Sequence, residues 1–255
     1  MRNVFALYRK ELKGYFASWV GYAIIAFFAV VFGYFFYVAT AIFVNQSFQS
    51  QMMGRGFPMD MHEWVIRPLM MNVSVIGLFV IPMITMRLFA EEKRSGTIEL
   101  LLTSPVRDVE IVLGKWLAAT TFYACVLAVS ALNLIFLFVY GDPDWRPILV
   151  AYLGLLLQGA CLLAFGAFIS SLTRNQIIAA GGTFAVCLLL WVFEWVTAYE
   201  TSTWARVVSY LSVLTHFEPF AKGVLDSKDV IYYLSTIFLG LFLTVRSLES
   251  LRWRA

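Results

Sequence analysis

The sequence predicts an all-α polytopic membrane protein with six transmembrane helices and with both termini in the cytoplasm. Hydrophobic residues make up 61% of the chain and charged residues only 14%, values outside the range of a soluble globular domain. Most basic residues fall in alternate loops, which sets the orientation. Six long stretches lack Asp, Glu, Lys and Arg, and these are Val20–Val44, Leu69–Met86, Trp116–Tyr140, Ile148–Leu172, Ile177–Phe193 and Ile231–Val245.

The lengths of these stretches fit membrane crossing. A helix needs roughly 20 residues to cross about 30 Å of hydrocarbon. The last two stretches are short, so their amphipathic flanks must complete the crossing. Val20–Val44 is too long for the apolar part of a signal peptide, and no small-residue cleavage pattern follows it, so we expect it to be retained. Without internal repeats or low-complexity linkers, residues 1–255 are expected to form one domain.

The orientation follows from the basic residues, which are retained on the cytoplasmic side of short loops. If the N-terminus lies in the cytoplasm, 13 of the 19 Lys and Arg residues lie there as well. The other six are Arg55, Arg67, Arg146, Arg206, Lys222 and Lys228.

Residues 1–16 are predicted to form an amphipathic helix along the inner leaflet. Phe5, Tyr8, Leu12 and Phe16 recur at helical spacing, and the basic residues of this segment point elsewhere. The alternative is a frayed basic tail that only enforces the topology.

Two outer segments flank the spans. Residues 197–229 are too polar to span and too aromatic for a loose loop, so we expect short helices in the outer interface. Asn45–Arg67 is the other outer segment.

The cytoplasmic loop of residues 91–105 carries the most informative pattern. It begins with four consecutive charges, breaks at Gly96, presents an apolar row, and ends on the helix-start signal Ser104–Pro105. A short helix that is apolar on one side and charged beside it suits docking into a groove on a cytoplasmic partner, and an interfacial loop is the alternative. The residues assigned to this surface are Glu91, Glu92, Lys93, Arg94, Gly96, Thr97, Ile98, Glu99, Leu100 and Leu101.

The run EEKRSGTIELLLTSPV, followed by VEIVLGKWLAA, resembles the signature of ABC-2-type permeases, the membrane subunits of bacterial ABC exporters. Within that family the chain is especially similar to the permease subunit associated with gliding motility. The supporting stretches are PMITMRLFA before the charged loop, SSLTRNQI, and GVLDSKDVIYYLS near the C-terminus.

The resemblance implies a subunit of the bacterial cytoplasmic membrane whose coupling helix, at Glu91–Pro105, transmits nucleotide-driven closure to the spans. Two permeases, identical or paralogous, would pair with two copies of a separate ATP-binding subunit that holds ATP and Mg²⁺, while this chain carries no cofactor. Membrane lipids and an extracytoplasmic accessory protein are further expected partners, and nucleic acid is not.

The sequence argues against ATP hydrolysis by the chain itself. Such hydrolysis needs a GxxxxGK[ST] loop whose amides cradle phosphates. At Gly114–Lys115, Val109 replaces the leading Gly and Trp116 replaces the Ser or Thr.

An intramembrane enzyme, the second class of function considered, would need ionisable groups at mid-membrane depth. The spans contain no His and no central carboxylate. Their cysteines, Cys125, Cys161 and Cys187, are interpreted as packing residues outside any disulfide or zinc site. Their polar residues are interpreted as helix–helix hydrogen-bonding groups, and these are Ser74, Thr85, Thr120, Thr121, Ser130, Asn133 and Gln158.

Two outer features are candidate substrate or metal sites. Glu194, between two tryptophans, is the nearest group to a buried charge, and we interpret it as an interface carboxylate, with a lateral substrate exit as the alternative. Met59, Met61 and His62 share an outer segment, and thioether plus imidazole suits Cu(I). A related family member serves copper-enzyme maturation, but packing is the preferred interpretation, so no metal ligand is assigned.

The apolar, aromatic spans favour a large or amphiphilic cargo, or force passed to an outer protein, over a small ion. A membrane scaffold without transport is the third class of function considered.

Two copies of the permease are expected to face each other. Small residues for close packing, within or between subunits, are Gly154, Gly159, Gly166, Gly181 and Gly182.

Overall fold

The structure is a computed structural model that describes residues 2–52, 60–98, 106–141, 143–199 and 203–252. These residues are almost all helical and contain no strand, as predicted. The helices are α1 (Arg2–Ala17), α2 (Trp19–Met52), a π-helical turn (His62–Ile66) continuing into α3 (Arg67–Thr85), α4 (Ala90–Ser95), α5 (Asp108–Tyr140), α6 (Trp145–Leu172), α7 (Gln176–Tyr199), α8 (Thr203–Tyr210), α9 (Val213–Ala221) and α10 (Ser227–Arg252).

Six helical stretches of the described chain are long and apolar enough to cross a membrane, which confirms the predicted number of spans. The two short apolar stretches are completed by their flanks, because α7 extends to 24 residues and α10 to 26. The six stretches are Trp19–Ser50, His62–Ser95, Asp108–Val139, Trp145–Leu172, Gln176–Trp195 and Ser227–Arg252.

Helices α3 and α6 form the centre of the bundle. In their most apolar stretches 67% and 61% of the residues are buried, against 11% in α2 and 17% in α7. Helix α6 packs on α3, α5, α7, α9 and α10. The outer faces of α2 and α7 are therefore left for lipid or for another protein.

Three glycines on α6 allow neighbouring helices of the same subunit to pack closely against it. A Cβ on Gly159 would lie 2.1 Å from the Tyr123 ring of α5. Gly154 likewise packs against Phe220 of α9, and Gly166 against Thr85 of α3.

The remaining two glycines lie on α7 in more open surroundings. Around Gly181, no heavy atom lies within 4 Å of an added Cβ, while Gly182 has a single neighbour, Ile169 of α6, at 3.0 Å.

Replacing Gly159 by Ala is expected to destabilise the protein by about 1–3 kcal/mol, because the new methyl group overlaps the Tyr123 ring. Gly181→Ala is the matched control, since the same change on α7 meets open space. Thermal unfolding of both purified variants in one detergent measures the difference. Equal midpoints would contradict this α5–α6 contact.

Three of the polar residues interpreted from the sequence as helix–helix bonding groups, Ser74, Ser130 and Gln158, do bond to a neighbouring helix. Gln158 Nε2 of α6 donates to Ser74 Oγ of α3 at 2.6 Å. The Ser130 and Tyr152 hydroxyls share a hydrogen bond of 2.7 Å between α5 and α6. Thr85 instead donates to a carbonyl of its own helix. Hydrogen bonding thus accounts for the most deeply buried of these side chains.

The predicted N-terminal helix is present as α1. Leu7, Leu12 and Tyr15 pack against the core, whereas Phe5 is 65% exposed. Helix α1 packs closely on α5 at Gly114, where an added Cβ would lie 2.9 Å from Leu7 Cβ and 3.1 Å from the Val4 carbonyl oxygen.

The described ends of the chain lie at one end of the bundle, the α1 end, formed by α1, α4 and the first turn of α5. Asn3 Nδ2 donates to Glu110 Oε2 at 3.3 Å, and Arg252 Nη1 is 3.6 Å from Asp108 Oδ2. Because six spans cross the membrane an even number of times, both ends of the chain must lie on the same side. The opposite end, the α9 end, holds α8, α9 and the start of α10; the short helices expected within residues 197–229 are therefore found.

Candidate functional site

Helix α4 contains the charged half of the predicted coupling segment, Glu91 to Arg94. It ends at Gly96, whose φ of 75° lies in the left-handed region that favours glycine. Thr97 and Ile98 follow. The rest of the segment, including Glu99, Leu100 and Leu101, lies outside the described residues, so its assignment stays a prediction.

The start of α4 is fixed to the end of α6. Ser170 Oγ accepts hydrogen bonds from the backbone N–H groups of Phe89 and Ala90 at 3.1 and 3.2 Å. Lys93 Nζ donates to the carbonyl oxygen of Ser171. The two bonds to Ser170 satisfy two of the backbone N–H donors that a helix N-terminus leaves without partners. Because α4 is short, it depends on them for its position.

A buried lysine joins α4 to α1 and α5. Lys115 Nζ of α5 lies 2.9 Å from Glu11 Oε1 of α1 and 2.9 Å from Glu92 Oε1 of α4. Its side chain is 2% exposed, and its ammonium group is 5.4 Å from the centre of the Phe89 ring. A buried ammonium group needs such partners to offset its desolvation. We call Lys115, Glu11 and Glu92 the Lys115 junction.

The role of Lys115 was not predicted from the sequence, where it stands only among the cytoplasmic charges and at the lysine position of an incomplete phosphate-binding loop. The available signal was its spacing, because Ile111, Lys115, Ala118 and Phe122 recur on one helical face and all four are buried. A lysine on the apolar side of a span needs carboxylate partners from elsewhere in the chain.

The expectation that Glu194 is the nearest group to a buried charge is wrong. Among the described residues, Lys115, Asp108 and Asp229 are buried, while Glu194 is only partly buried. It lies on α7 within electrostatic range of Glu218 on α9.

The described surface of the coupling segment is polar. Glu91, Arg94, Ser95 and Thr97 are exposed, whereas Ile98 is 9% exposed and packs with the core. The Ser95 and Thr97 hydroxyls share a hydrogen bond of 2.8 Å across Gly96. A partner contacting α4 would therefore meet charges and hydroxyl groups first.

The outer Met and His residues lie at the α9 end. Met61 packs against Gly141 at the end of α5. Neither ring nitrogen of His62 has a hydrogen-bond partner within the described ranges. Met59 lies outside them.

A second group of buried ionisable side chains, also missed from the sequence, lies at the α9 end. His216 Nδ1 is 2.6 Å from Asp229 Oδ1, and Nε2 is 2.9 Å from the Tyr210 carbonyl oxygen. Because a carbonyl oxygen only accepts, Nε2 is the donor, and a proton between Nδ1 and Oδ1 completes the other bond. Tyr232 stacks on the imidazole ring with centroids 3.8 Å apart. The pair fixes α9 to the first turn of α10.

Helix α9 is also tied to α3. Arg67 Nη2 lies 3.0 Å from Glu218 Oε1, and Lys222 Nζ lies 2.8 Å from the same oxygen. The hydrogen bond from Lys222, together with the nearby Arg67, lowers the pKa of Glu218.

Comparison with known proteins agrees with this architecture. The family model described as "ABC-2 family transporter protein" matches residues 5–245. The chain is 26% identical over 170 residues to the "Probable multidrug ABC transporter permease YbhR" of Escherichia coli strain K12, which covers 64% of this chain and 44% of that protein. The same permease from Escherichia coli O157:H7 gives the same values. The match spans less than half the length of these relatives. With a family match over almost its whole length, the chain belongs to the ABC-2 family of transporter proteins.

Proposed function

We propose that this chain is the permease subunit of an ATP-driven exporter in a bacterial cytoplasmic membrane, with the α1 end facing the cytoplasm. The observation that carries the proposal is the Lys115 junction, which attaches α4 to α1 and to a membrane span. A separate ATP-binding subunit holding ATP and Mg²⁺ would dock on the segment that begins with α4.

The connections of α4 support a coupling role. Ser170 and Ser171 attach it to α6, and Lys115 attaches it to α1 and α5. A partner that displaces α4 would therefore move three helices with it instead of deforming a free loop. Rigid connections of this kind carry displacement between distant sites.

The packed centre of the bundle supports a path between two copies. Tyr123 fills the space beside Gly159, and Gln158 is bonded to Ser74. A route through one subunit would have to break these contacts. The largely exposed α2 and α7 offer faces for a second permease, identical or paralogous.

The cargo proposal is a large or amphiphilic molecule, or force passed to an extracytoplasmic protein held by α8 and α9. The apolar outer helices support it, as does the name of the matched relative, a probable multidrug permease. A role in gliding motility rests on the sequence resemblance alone.

The decisive experiment purifies the tagged chain with its ATP-binding subunit and reconstitutes the complex. We expect two permeases per two ATPases, no ATP hydrolysis by the permease alone, and ATPase stimulation by lipids or amphiphiles. An ATPase variant lacking its phosphate-loop lysine is the control. Failure to associate with any ATPase would favour a scaffold, and one permease per two ATPases would contradict the dimer.

A copper-handling permease is the second candidate, because the His62 ring nitrogens have no hydrogen-bond partner within the described ranges and Met61 immediately precedes His62 in the chain. Stimulation of ATPase activity by Cu(I) alone, lost in His62→Ala and Met61→Ala, would favour it over amphiphile export.

A further inference from the structure

A cavity of about 310 Å³ lies where α1 joins α2, beside the end of α3 and the start of α4. This volume is near the lower limit of about 300 Å³ for small-molecule pockets, which suits a headgroup better than a whole lipid. Tyr15 closes one side by donating from its hydroxyl to the Ile84 carbonyl oxygen at 3.1 Å. Burial raises the pKa of Tyr15, so this hydroxyl keeps its proton.

The cavity has an apolar wall and a charged wall. Ile24, Met83 and Leu88 form part of the apolar side. The charged side combines Arg87 with the carboxylates of Glu11 and Glu91. With α2 as a span and α1 along the membrane surface, the joint between them would lie at the depth of lipid headgroups.

Arg87 has terminal N–H donors free for a ligand, while its Nε atom is buried without a partner within the described residues. Its guanidinium group makes one hydrogen bond within the described residues, from Nη1 to Ser18 Oγ at 3.0 Å. Glu91 Oε2 is 4.0 Å from Nε, which is beyond hydrogen-bond distance. Guanidinium groups bind phosphate oxygens through several parallel N–H bonds.

The carboxylates leave a requirement for a cation nearby. Glu11 shares Lys115 with Glu92, so that group of three carries a net charge of −1. Glu91 is held only loosely by Arg87, and its side chain is 54% exposed. A ligand that brings both a phosphate and an ammonium group would complement this wall.

We propose that the cavity binds the headgroup of a zwitterionic phospholipid with a primary amine, such as phosphatidylethanolamine. The phosphate contacts Arg87, and the ammonium group donates to Glu91 and Glu11. The acyl chains lie along the side of α2 that carries Phe27, which is three residues beyond the cavity-lining Ile24 and is 44% exposed.

Other lipid headgroups lack one half of this complementarity. Choline carries no N–H to donate to a carboxylate, and glycerol brings no positive charge to balance Glu91. A cationic amphiphile has no phosphate for Arg87. The site should therefore select the amine-bearing zwitterion.

The test is native mass spectrometry of the full chain in detergent with phosphatidylethanolamine, phosphatidylcholine and phosphatidylglycerol of identical acyl chains. We expect phosphatidylethanolamine to bind about tenfold more tightly than the other two, the ratio given by one charge-assisted hydrogen bond. Glu91→Gln should remove the preference over phosphatidylcholine, and Arg87→Gln should weaken binding of all three lipids.

A second variant fills the cavity without changing charge. An added Cβ at Gly14, which lines it, has no heavy atom within 4 Å, so Gly14→Leu should fold and block the headgroup. Controls are Arg94→Gln, outside the cavity, and Gly33→Leu, where a Cβ also meets open space. Equal binding of the three lipids, a preference that survives Glu91→Gln and Gly14→Leu, or displacement by tetraphenylphosphonium would overturn the proposal. The assay omits the ATPase and is therefore independent of the transport proposal.

Discussion

Lys115→Met is expected to uncouple the ATP-binding subunit from the membrane helices in the assembled complex. The substitution removes both bonds of the buried ammonium group and leaves Glu11 and Glu92 without their cation. Removing one partner of a buried pair typically costs about 3–5 kcal/mol, enough to release α4 from α1 and α5. The measurement is ATPase activity of the free ATPase and of the complex. The variant complex should assemble and hydrolyse ATP at the rate of the free ATPase.

Lys10→Met is the matched control, because Lys10 is exposed on α1 and makes no ion pair with the described residues. Glu92→Gln provides a milder change, since its amide oxygen can still accept from Lys115. Glu92→Gln should lower, without abolishing, the change in ATPase activity that the complex shows relative to the free ATPase. A Lys115→Met complex that assembles and keeps the ATPase response of the original would remove the junction from the coupling mechanism.

His216→Ala is expected to cause the largest loss of stability at the α9 end, about 3–5 kcal/mol, because it leaves the Asp229 carboxylate buried without its partner. The loss should appear as a lower midpoint of thermal unfolding in detergent. Asp229→Asn should cost less, because an amide can still bond to the imidazole.

His62→Ala is the control for this change, since the His62 ring makes no hydrogen bond within the described ranges. The double variant His216→Ala with Asp229→Ala should be more stable than the sum of the single losses predicts, as expected for two residues in contact. Additive losses, or equal midpoints for His216→Ala and His62→Ala, would show that the pair is not a unit.

The spans were predictable from sequence because crossing a bilayer is a local requirement on length and polarity. Each of the six apolar stretches lies in a helix, and the flanks of Ile231–Val245 extend α10 as expected. The site was predictable only in position: the dense charges after Leu88 located α4, but nothing local identified what they bind.

The sequence by itself determined the fold class, the number of spans and a helical N-terminal segment, because these depend on residues close together in the chain. Only the tertiary structure decided which charges are buried and paired. Lys115 meets Glu11 across 104 positions, and His216 meets Asp229 across 13. The close packing of α1 on Gly114 of α5 was likewise decided by the tertiary structure. Such pairings follow from the way helices pack against one another, which hydropathy along one chain does not encode.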